Sequence, residues 1–274
     1  MPIVFPAGGF GRIYQQTAKA GVTVTANGSA HVMGAWATLI DPLSYDLFGL
    51  YIRARNVSGA TTDTRMLANI GIAPTGGGSE QVVIPYLDFG ASMSGQVFAG
   101  NTWFFPLYVP AGKAVRAQCQ AVIVSDTVTV YAYAFELPPH GFAEDAPQEW
   151  TQYGASAAAS RGTAVTSGSG AFGTEVDVTA GAGTSRAHRW FHVGIDWGTN
   201  TAVSQGIYRV RLSRDTAGAE VIGVWDFAAM TTAEDNIGPS PSFPACFSLP
   251  AGSLLYVDVD GAATEAMSAI VYAY

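Results

Sequence analysis

The sequence predicts an all-β protein: two tandem antiparallel β-sandwich domains, jelly-roll-like, preceded by an extended N-terminal arm. Three observations carry this expectation: an internal repeat, a two-residue hydrophobic alternation, and a composition suited to strands and tight turns. The repeat is the strongest of them. Val109-Pro110-Ala111-Gly112 returns as Leu249-Pro250-Ala251-Gly252, and Val130-Tyr131-Ala132-Tyr133 returns as Val271-Tyr272-Ala273-Tyr274. Glu80-Gln81-Val82-Val83-Ile84 is matched by Glu220-Val221-Ile222-Gly223-Val224, and residues 21–25 (GVTVT) by residues 162–166 (GTAVT). The four blocks recur in one order at a spacing of 140 or 141 residues, so the chain is a small unit used twice.

In chain order, residues 1–20 have no sequence counterpart in the second copy and, with Pro2, Pro6, Gly8, Gly9 and Gly11, read as an arm. Residues 21–137 form the first sandwich, 138–161 a proline-containing acidic linker, and 162–274 the second sandwich. Within the first copy, Gly76-Gly77-Gly78-Ser79 marks a tight connection between strands around 70–72 and 82–84. In the second copy Thr216-Ala217-Gly218-Ala219 does the same between 210–212 and 221–224. Each Pro-Ala-Gly element is a Pro-led turn that delivers the chain into a strand, over 113–120 and 253–259. Residues 122–135 read as one or two strands broken near Ser125-Asp126. Phe191, Val193, Ile195 and Trp197 alternate with Trp190, His192, Gly194 and Asp196, which places the first set in the core and the second on a solvated face. No stretch holds a 3.6-residue period over three turns.

Charged residues are 12% of the chain against 49% hydrophobic, about half the charged fraction of ordinary globular proteins. Lys occurs only at positions 19 and 113. The net charge of −8 falls entirely in residues 141–274, where six Arg face fourteen acids, while residues 1–140 balance. That balance argues against a nucleic-acid partner, and no apolar run is long enough for a membrane span. The first residues lack the basic-then-apolar pattern of a secretory signal. Cys119 and Cys246 occupy non-equivalent places in the two copies and read as buried free thiols.

Few side-chain constellations in the chain point to chemistry. His188, His192 and Asp196 would line up only on a helix, and their strand context separates them, so no metal site is expected there. Asp258, Asp260, Gly261 and Glu265 faintly suggest a calcium loop, but the spacing is wrong and Asp260-Gly261 reads as a hairpin turn. Gly168-Ser169-Gly170-Ala171-Phe172-Gly173 satisfies GxGxxG without the strand–helix context that motif needs. Asp41, Asp46, Glu80 and Asp88 are available carboxylates in copy one; only Glu80/Glu220 and Asp88/Asp226 recur, which fits turn capping as well as catalysis. No catalytic residue, cofactor or metal is therefore expected, and the chain reads as a non-enzyme. Among the tryptophans, Trp197 and Trp225 belong to core alternation, whereas Trp103 and Trp150 sit in Gly- or polar-flanked loops. Those two are the candidates for exposure, at an interface or against a glycan ring.

The run Asn69-Ile70-Gly71-Ile72-Ala73, then Gly78-Ser79-Glu80-Gln81-Val82-Val83-Ile84-Pro85, the VPAG strand, and Ala117-Gln118-Cys119-Gln120-Ala121 resembles a module of tailed-bacteriophage virions and related gene-transfer particles. Such modules serve as head spikes, fibres, decoration proteins or tail adhesins. The resemblance implies a structural virion protein assembled in the bacterial cytoplasm, forming a homo-oligomer and binding other virion proteins, with the N-terminal arm as candidate docking element. Contact with host surface polysaccharide is a further implied partner, and a glycan-binding adhesin module is the alternative reading.

Overall fold

The computed structural model describes residues 13–55, 66–90, 102–135, 148–154, 162–196, 204–229, 237–239 and 244–274. Copy one contains β1 (Ile13–Gln16), β2 (Val22–Thr25), β3 (Ala37–Ile40), β4 (Leu47–Arg55), β5 (Met66–Pro74), β6 (Gln81–Gly90), β7 (Thr102–Val109), β8 (Lys113–Ala121) and β9 (Thr127–Phe135). Copy two contains β10 (Thr151–Tyr153), β11 (Thr163–Thr166), β12 (Gly168–Ser169), β13 (Val176–Asp177), β14 (His188–Asp196), β15 (Gly206–Ser213), β16 (Val221–Ala229), β17 (Ile237–Pro239), β18 (Ala245–Leu249), β19 (Tyr256–Gly261) and β20 (Ala266–Ala273). A 3-10 turn at Thr216–Gly218 is the one helical piece among the described residues.

The strands form four sheets. Sheet 1 runs β1-β9-β4-β7 with β2 also on β9, and sheet 2 runs β3-β8-β5-β6. Sheet 3 runs β10-β20-β14-β18 with β11 also on β20, and sheet 4 runs β12-β19-β15-β16-β17 with β13 also on β19. Replacing each copy-one strand by its repeat partner converts sheet 1 into sheet 3 and sheet 2 into sheet 4, to which copy two adds the short strands β12 and β17. The interleaved order is that of a jelly roll, in which neighbours in a sheet are distant in sequence. Sheets 1 and 2 close over one core that includes Leu50, Ile52, Ile70, Val115 and Val130; sheets 3 and 4 close over another around Phe191, Val193, Tyr208, Val210 and Val259.

Local chemistry explains the shared turns. Gly112 and Gly252 end the two Pro-Ala-Gly turns at φ 77° and 81°, in the left-handed region where a Cβ is penalised. In copy one the turn is tied down by Asp46, whose Oδ1 accepts the Ala111 N–H at 2.9 Å. The Gly76–Gly78 connection is held by Asp41 Oδ2, which accepts Gly76 N–H at 2.9 Å, and by Glu80 Oε1, which accepts Gly78 N–H at 3.0 Å. These carboxylates cap turns.

Two expectations about segments change. β1 lies inside the segment read as an arm, and β10 inside the segment read as a linker; both are edge strands, on β9 and β20 respectively. They also supply a counterpart that the sequence comparison missed: Thr17 N–H donates to Ala132 O, as Thr151 pairs with Ala273 one repeat later. Residues 1–12, the linker stretches 136–147 and 155–161, His140 and Trp197 lie outside the described residues.

The outer edges of the two copies are finished differently. In copy two, β17 pairs with β16 at Phe227–Ala229 and closes that edge from within. In copy one β6 is the last described strand of its sheet. It carries a bulge at Tyr86, where φ is 49° and the N–H is taken by the Asn69 side-chain oxygen at 3.0 Å. Asn69→Ala therefore leaves that N–H without its acceptor and is expected to destabilise the protein by about 1–3 kcal/mol, read as a lower urea midpoint at constant m.

Candidate interaction surfaces

The centre of the outer face of sheet 3, at His192, Ile270 and Tyr272, is shut off from solvent. It packs against the open side of copy one, where edge strands β6 and β7 leave the sandwich uncovered. Ile270 and Tyr272 of β20 belong to the core of copy one, with Trp190 and Tyr274 packed against it. Gly194 sits where the strands approach most closely, since a Cβ there would meet Asp88 and Trp103 side-chain atoms at 3.3 Å each.

Side chains from one copy satisfy the strand edges of the other. The Asp88 N–H donates to the Tyr272 hydroxyl at 2.9 Å, and that hydroxyl donates to Tyr86 O at 2.7 Å. The bulge at Tyr86 places this carbonyl within reach. Trp150 donates its main-chain N–H to Val83 O at 2.7 Å and its indole N–H to Pro106 O at 3.1 Å. His192 Nε2 donates to Phe104 O at 2.9 Å. Thus β6 and β7, which would otherwise expose a row of pairing groups, are capped by a tyrosine, a tryptophan and a histidine.

Both candidate tryptophans lie in this seam, and the expectation that they are exposed is corrected. Trp103 is 1% and Trp150 3% exposed. Trp103 points its indole N–H at Asp88 O (3.1 Å) and stands edge-on to His192 and Tyr272, with ring centroids 5.3 and 5.6 Å away. Trp150 packs edge-on against Phe105 at 5.0 Å. Neither offers a ring face to a glycan, because the flanking Gly and polar residues mark strand ends under another sheet.

The solvated face expected for Trp190, His192 and Gly194 is corrected for the same reason. His192 is fully buried, and burial pushes its pKa down to about 4 although the Phe104 carbonyl bond opposes this. Its Nδ1 is buried without a partner, so the neutral Nε2–H form fits and a second proton would be stranded. His188 is also buried, near Tyr153, whose hydroxyl is 2.7 Å from Nε2; burial, then the charge of Arg186, lowers its pKa to about 4. The two histidines serve different neighbours and do not converge, and the Asp196 side chain lies outside the described residues. A usable signal was present: this strand face carries Trp, His and a mid-strand Gly where a solvated face would carry Lys and Glu.

The remaining candidates are structural too. Glu80 binds Arg116, and its carboxyl is held low first by the Gly78 N–H and also by that guanidinium. Asp226 pairs with Arg209 at 3.3 Å on an exposed face, whereas its repeat counterpart Asp88 is buried at the seam. Asp258 binds Arg211, and Glu265 accepts the Ser204 N–H at 2.9 Å, so these carboxylates do not form a calcium loop. Asp260-Gly261 ends β19 and is not the hairpin turn itself; Gly261 is required because the Tyr208 ring lies 2.5 Å from where its Cβ would stand. Among the described residues no group of three His, Cys, Asp or Glu could hold a metal ion. In the GxGxxG stretch, Gly170 and Gly173 donate their N–H groups to Gly261 O and Val259 O, and Gly168 and Gly173 permit backbone contact. Trp225 is core, as expected. Cys119 is buried and its thiol is pushed up to about 12, chiefly by burial and further by Asp126, but Cys246 is exposed, against the expectation of burial.

Each copy also presents a groove beside its Pro-Ala-Gly turn, but the two share only the positions Pro74/Arg214, Pro110/Pro250 and Lys113/Ser253. In copy one it measures about 380 Å³ and is bordered by Gln81, Tyr108, Pro110, Lys113 and Gln148. In copy two it measures about 470 Å³, with Arg214, Asp215, Pro250, Ser253 and Tyr256.

No family model matches the chain, and no curated protein matches it in sequence. Among solved structures it is similar to PNGF-II (8% identity, TM-score 0.36, 93% of this chain and 65% of that one). It is also similar to the major capsid protein P2 from bacteriophage PM2 (9%, 0.34, 95% and 98%) and to the CBM22-1-CBM22-2 tandem domain of Paenibacillus barcinonensis Xyn10C (10%, 0.26, 98% and 100%). The chain spans just under two thirds of the length of PNGF-II. No helix among the described residues is long and apolar enough to cross a membrane.

The seam makes two quantitative expectations. Tyr272→Phe strands the Asp88 N–H and the Tyr86 carbonyl and is expected to cost about 2–4 kcal/mol in urea unfolding. Tyr131→Phe, the repeat counterpart, removes only a 3.4 Å contact to Ala20 O and should cost less than about 1 kcal/mol. The second concerns pH. The folded pKa of His192 lies below its unfolded value of 6.5, so its stabilising effect is complete above pH 6.5 and is lost as pH falls toward about 4. The loss is on the order of 3 kcal/mol. His192→Gln should show a smaller fall in unfolding midpoint between pH 7.5 and 4.5 than the wild type; an equal fall would place the titrating group elsewhere.

Proposed function

We propose that this chain is a non-enzymatic structural protein of a tailed-phage or gene-transfer-particle virion, a spike, fibre or decoration component on the capsid or tail. It self-assembles, and its N-terminal segment, residues 1–20, is the candidate element for docking onto other virion proteins. One observation carries the reading: the outer face of sheet 3 closes the β6/β7 edge of copy one through buried aromatic and backbone-directed contacts. The chain thus already contains one sandwich-on-sandwich contact of the kind from which packed assemblies are built, with no nucleic acid or membrane required. The carboxylates of copy one are committed to turns and Arg116, which fits a scaffold better than a hydrolytic site.

A second reading, a glycan-binding module that recognises host surface polysaccharide, is favoured by the groove of copy one. Tyr108, Gln81, Gln148 and Lys113 surround a volume adequate for a sugar unit. Antibody raised to the chain is expected to decorate intact parent particles in electron micrographs, and light scattering to give a mass that is a multiple of 28.6 kDa. Unlabelled particles together with a monomeric mass would sink the virion reading. Host polysaccharide incubated with the protein should release no reducing ends; their release would show the chain to be a depolymerase.

A further inference from the structure

The face that is buried in copy two is uncovered by any described strand in copy one. In copy two it is built of cross-strand rows: Trp190 beside Tyr274, His192 beside Tyr272, and Gly194 beside Ile270. In copy one the rows read Tyr51 beside Tyr133, Arg53 beside Tyr131, and Arg55 beside Thr129. The aromatic column is retained, with the Tyr51 and Tyr133 rings 5.7 Å apart. The second column has changed from His and Gly to two arginines. Arg116, Arg186, Arg209, Arg211 and Arg214 each pair with a carboxylate, but Arg53 and Arg55 have no such partner among the described residues, and the Nε of each is buried without a hydrogen bond.

The outer face of sheet 4, on the opposite side of copy two from the seam, has the complementary character. Ile207, Val221 and Val224 are 57%, 43% and 48% exposed, three large aliphatic side chains on β15 and β16. Between them the exposed Arg209 is flanked by Asp226 and Asp260, while Arg211 is held in a largely buried cluster with Glu175 and Asp258. One end of the chain therefore presents an aromatic sheet face with two arginines that have no carboxylate partner among the described residues, and the other an aliphatic sheet face on which Asp226 and Asp260 outnumber the exposed Arg209.

We propose that the outer face of sheet 1, centred on Tyr51, Arg53, Arg55 and Tyr133, docks onto the outer face of sheet 4 of a second copy of this chain. The contact is heterologous, head to tail, and closes a ring or extends a fibre according to the rotation between subunits. It rests on the self-assembly reading above and adds to it which surfaces meet. Charge complementarity and the protein-covered state of the equivalent face in copy two both favour a second copy as occupant.

Two variants of the full chain test this by analytical ultracentrifugation: Arg53→Glu/Arg55→Glu, which spoils only the sheet 1 face, and Ile207→Arg/Val224→Arg, which spoils only the sheet 4 face. Each alone is expected to sediment as monomer, with association weakened tenfold or more. An equimolar mixture is expected to form a one-to-one dimer and nothing larger, because each retains one good face. The milder Arg53→Gln/Arg55→Gln, checked by circular dichroism for an unchanged fold, should weaken association in the same direction. An oligomeric wild type whose mass none of these variants alters overturns the face assignment and leaves self-assembly standing. A wild type that is monomeric at every concentration overturns both. Unaltered mass combined with loss of retention on an acidic polysaccharide column by the arginine variants overturns the proposal in favour of a glycan surface.

Discussion

A β-sandwich with an uncovered side has a problem that its own core cannot solve. Edge strands carry N–H and C=O groups that point outward, and leaving them bare invites pairing with other chains. In this protein the β6/β7 side of copy one is such a place, and much of the structure follows from how it is closed. Copy two does not add a strand there. It lays down the outer face of sheet 3 and inserts Tyr272, Trp150 and His192, whose polar atoms meet the edge backbone while their rings fill the space between the sheets. This demands a bulge at Tyr86, a glycine at position 194 and a neutral imidazole at 192.

The duplication makes the consequence visible, because the same fold meets the same problem twice. Copy two closes its own edge by the short strand β17, so it does not need a third sandwich. That leaves the pair complete on one side and unfinished on the other, with an aromatic, arginine-bearing face on sheet 1. The outer face of sheet 4 diverged in the opposite sense, toward exposed aliphatics and acids. What was kept between the copies is the set of turns: positive-φ glycines after Pro-Ala, and a hairpin approached by a guanidinium, Arg116 at Gly77 and Arg211 at Gly218. The turns hold register, while the faces were free to change.

Much of the fold was legible in the sequence because turns and alternation are local. The Pro-Ala-Gly turns, the Gly76–Ser79 connection and the strands on either side could be placed from residue type alone, since only certain residues tolerate left-handed backbone. The seam was not legible. Trp103 and Trp150 looked exposed from their neighbours, yet they are buried by residues more than a hundred and by fewer than fifty positions away, respectively Tyr272 and Phe105. β1 and β10 escaped notice because edge strands of four and three residues have too little alternation to register.

By itself, then, the sequence determined that this is one small β unit used twice, where its turns fall, and that the net negative charge is confined to residues 141–274. Period-two alternation states which residues share a face of a strand. It does not state what lies above that face, because in a jelly roll the covering sheet comes from distant parts of the chain, or from the other copy. Only the tertiary structure decided that the Trp190–His192–Gly194 face is buried and that its counterpart at Tyr51, Arg53 and Arg55 bears no described strand. The physical reason is that burial is a property of contacts between segments, whereas a sequence pattern reports only the geometry within one.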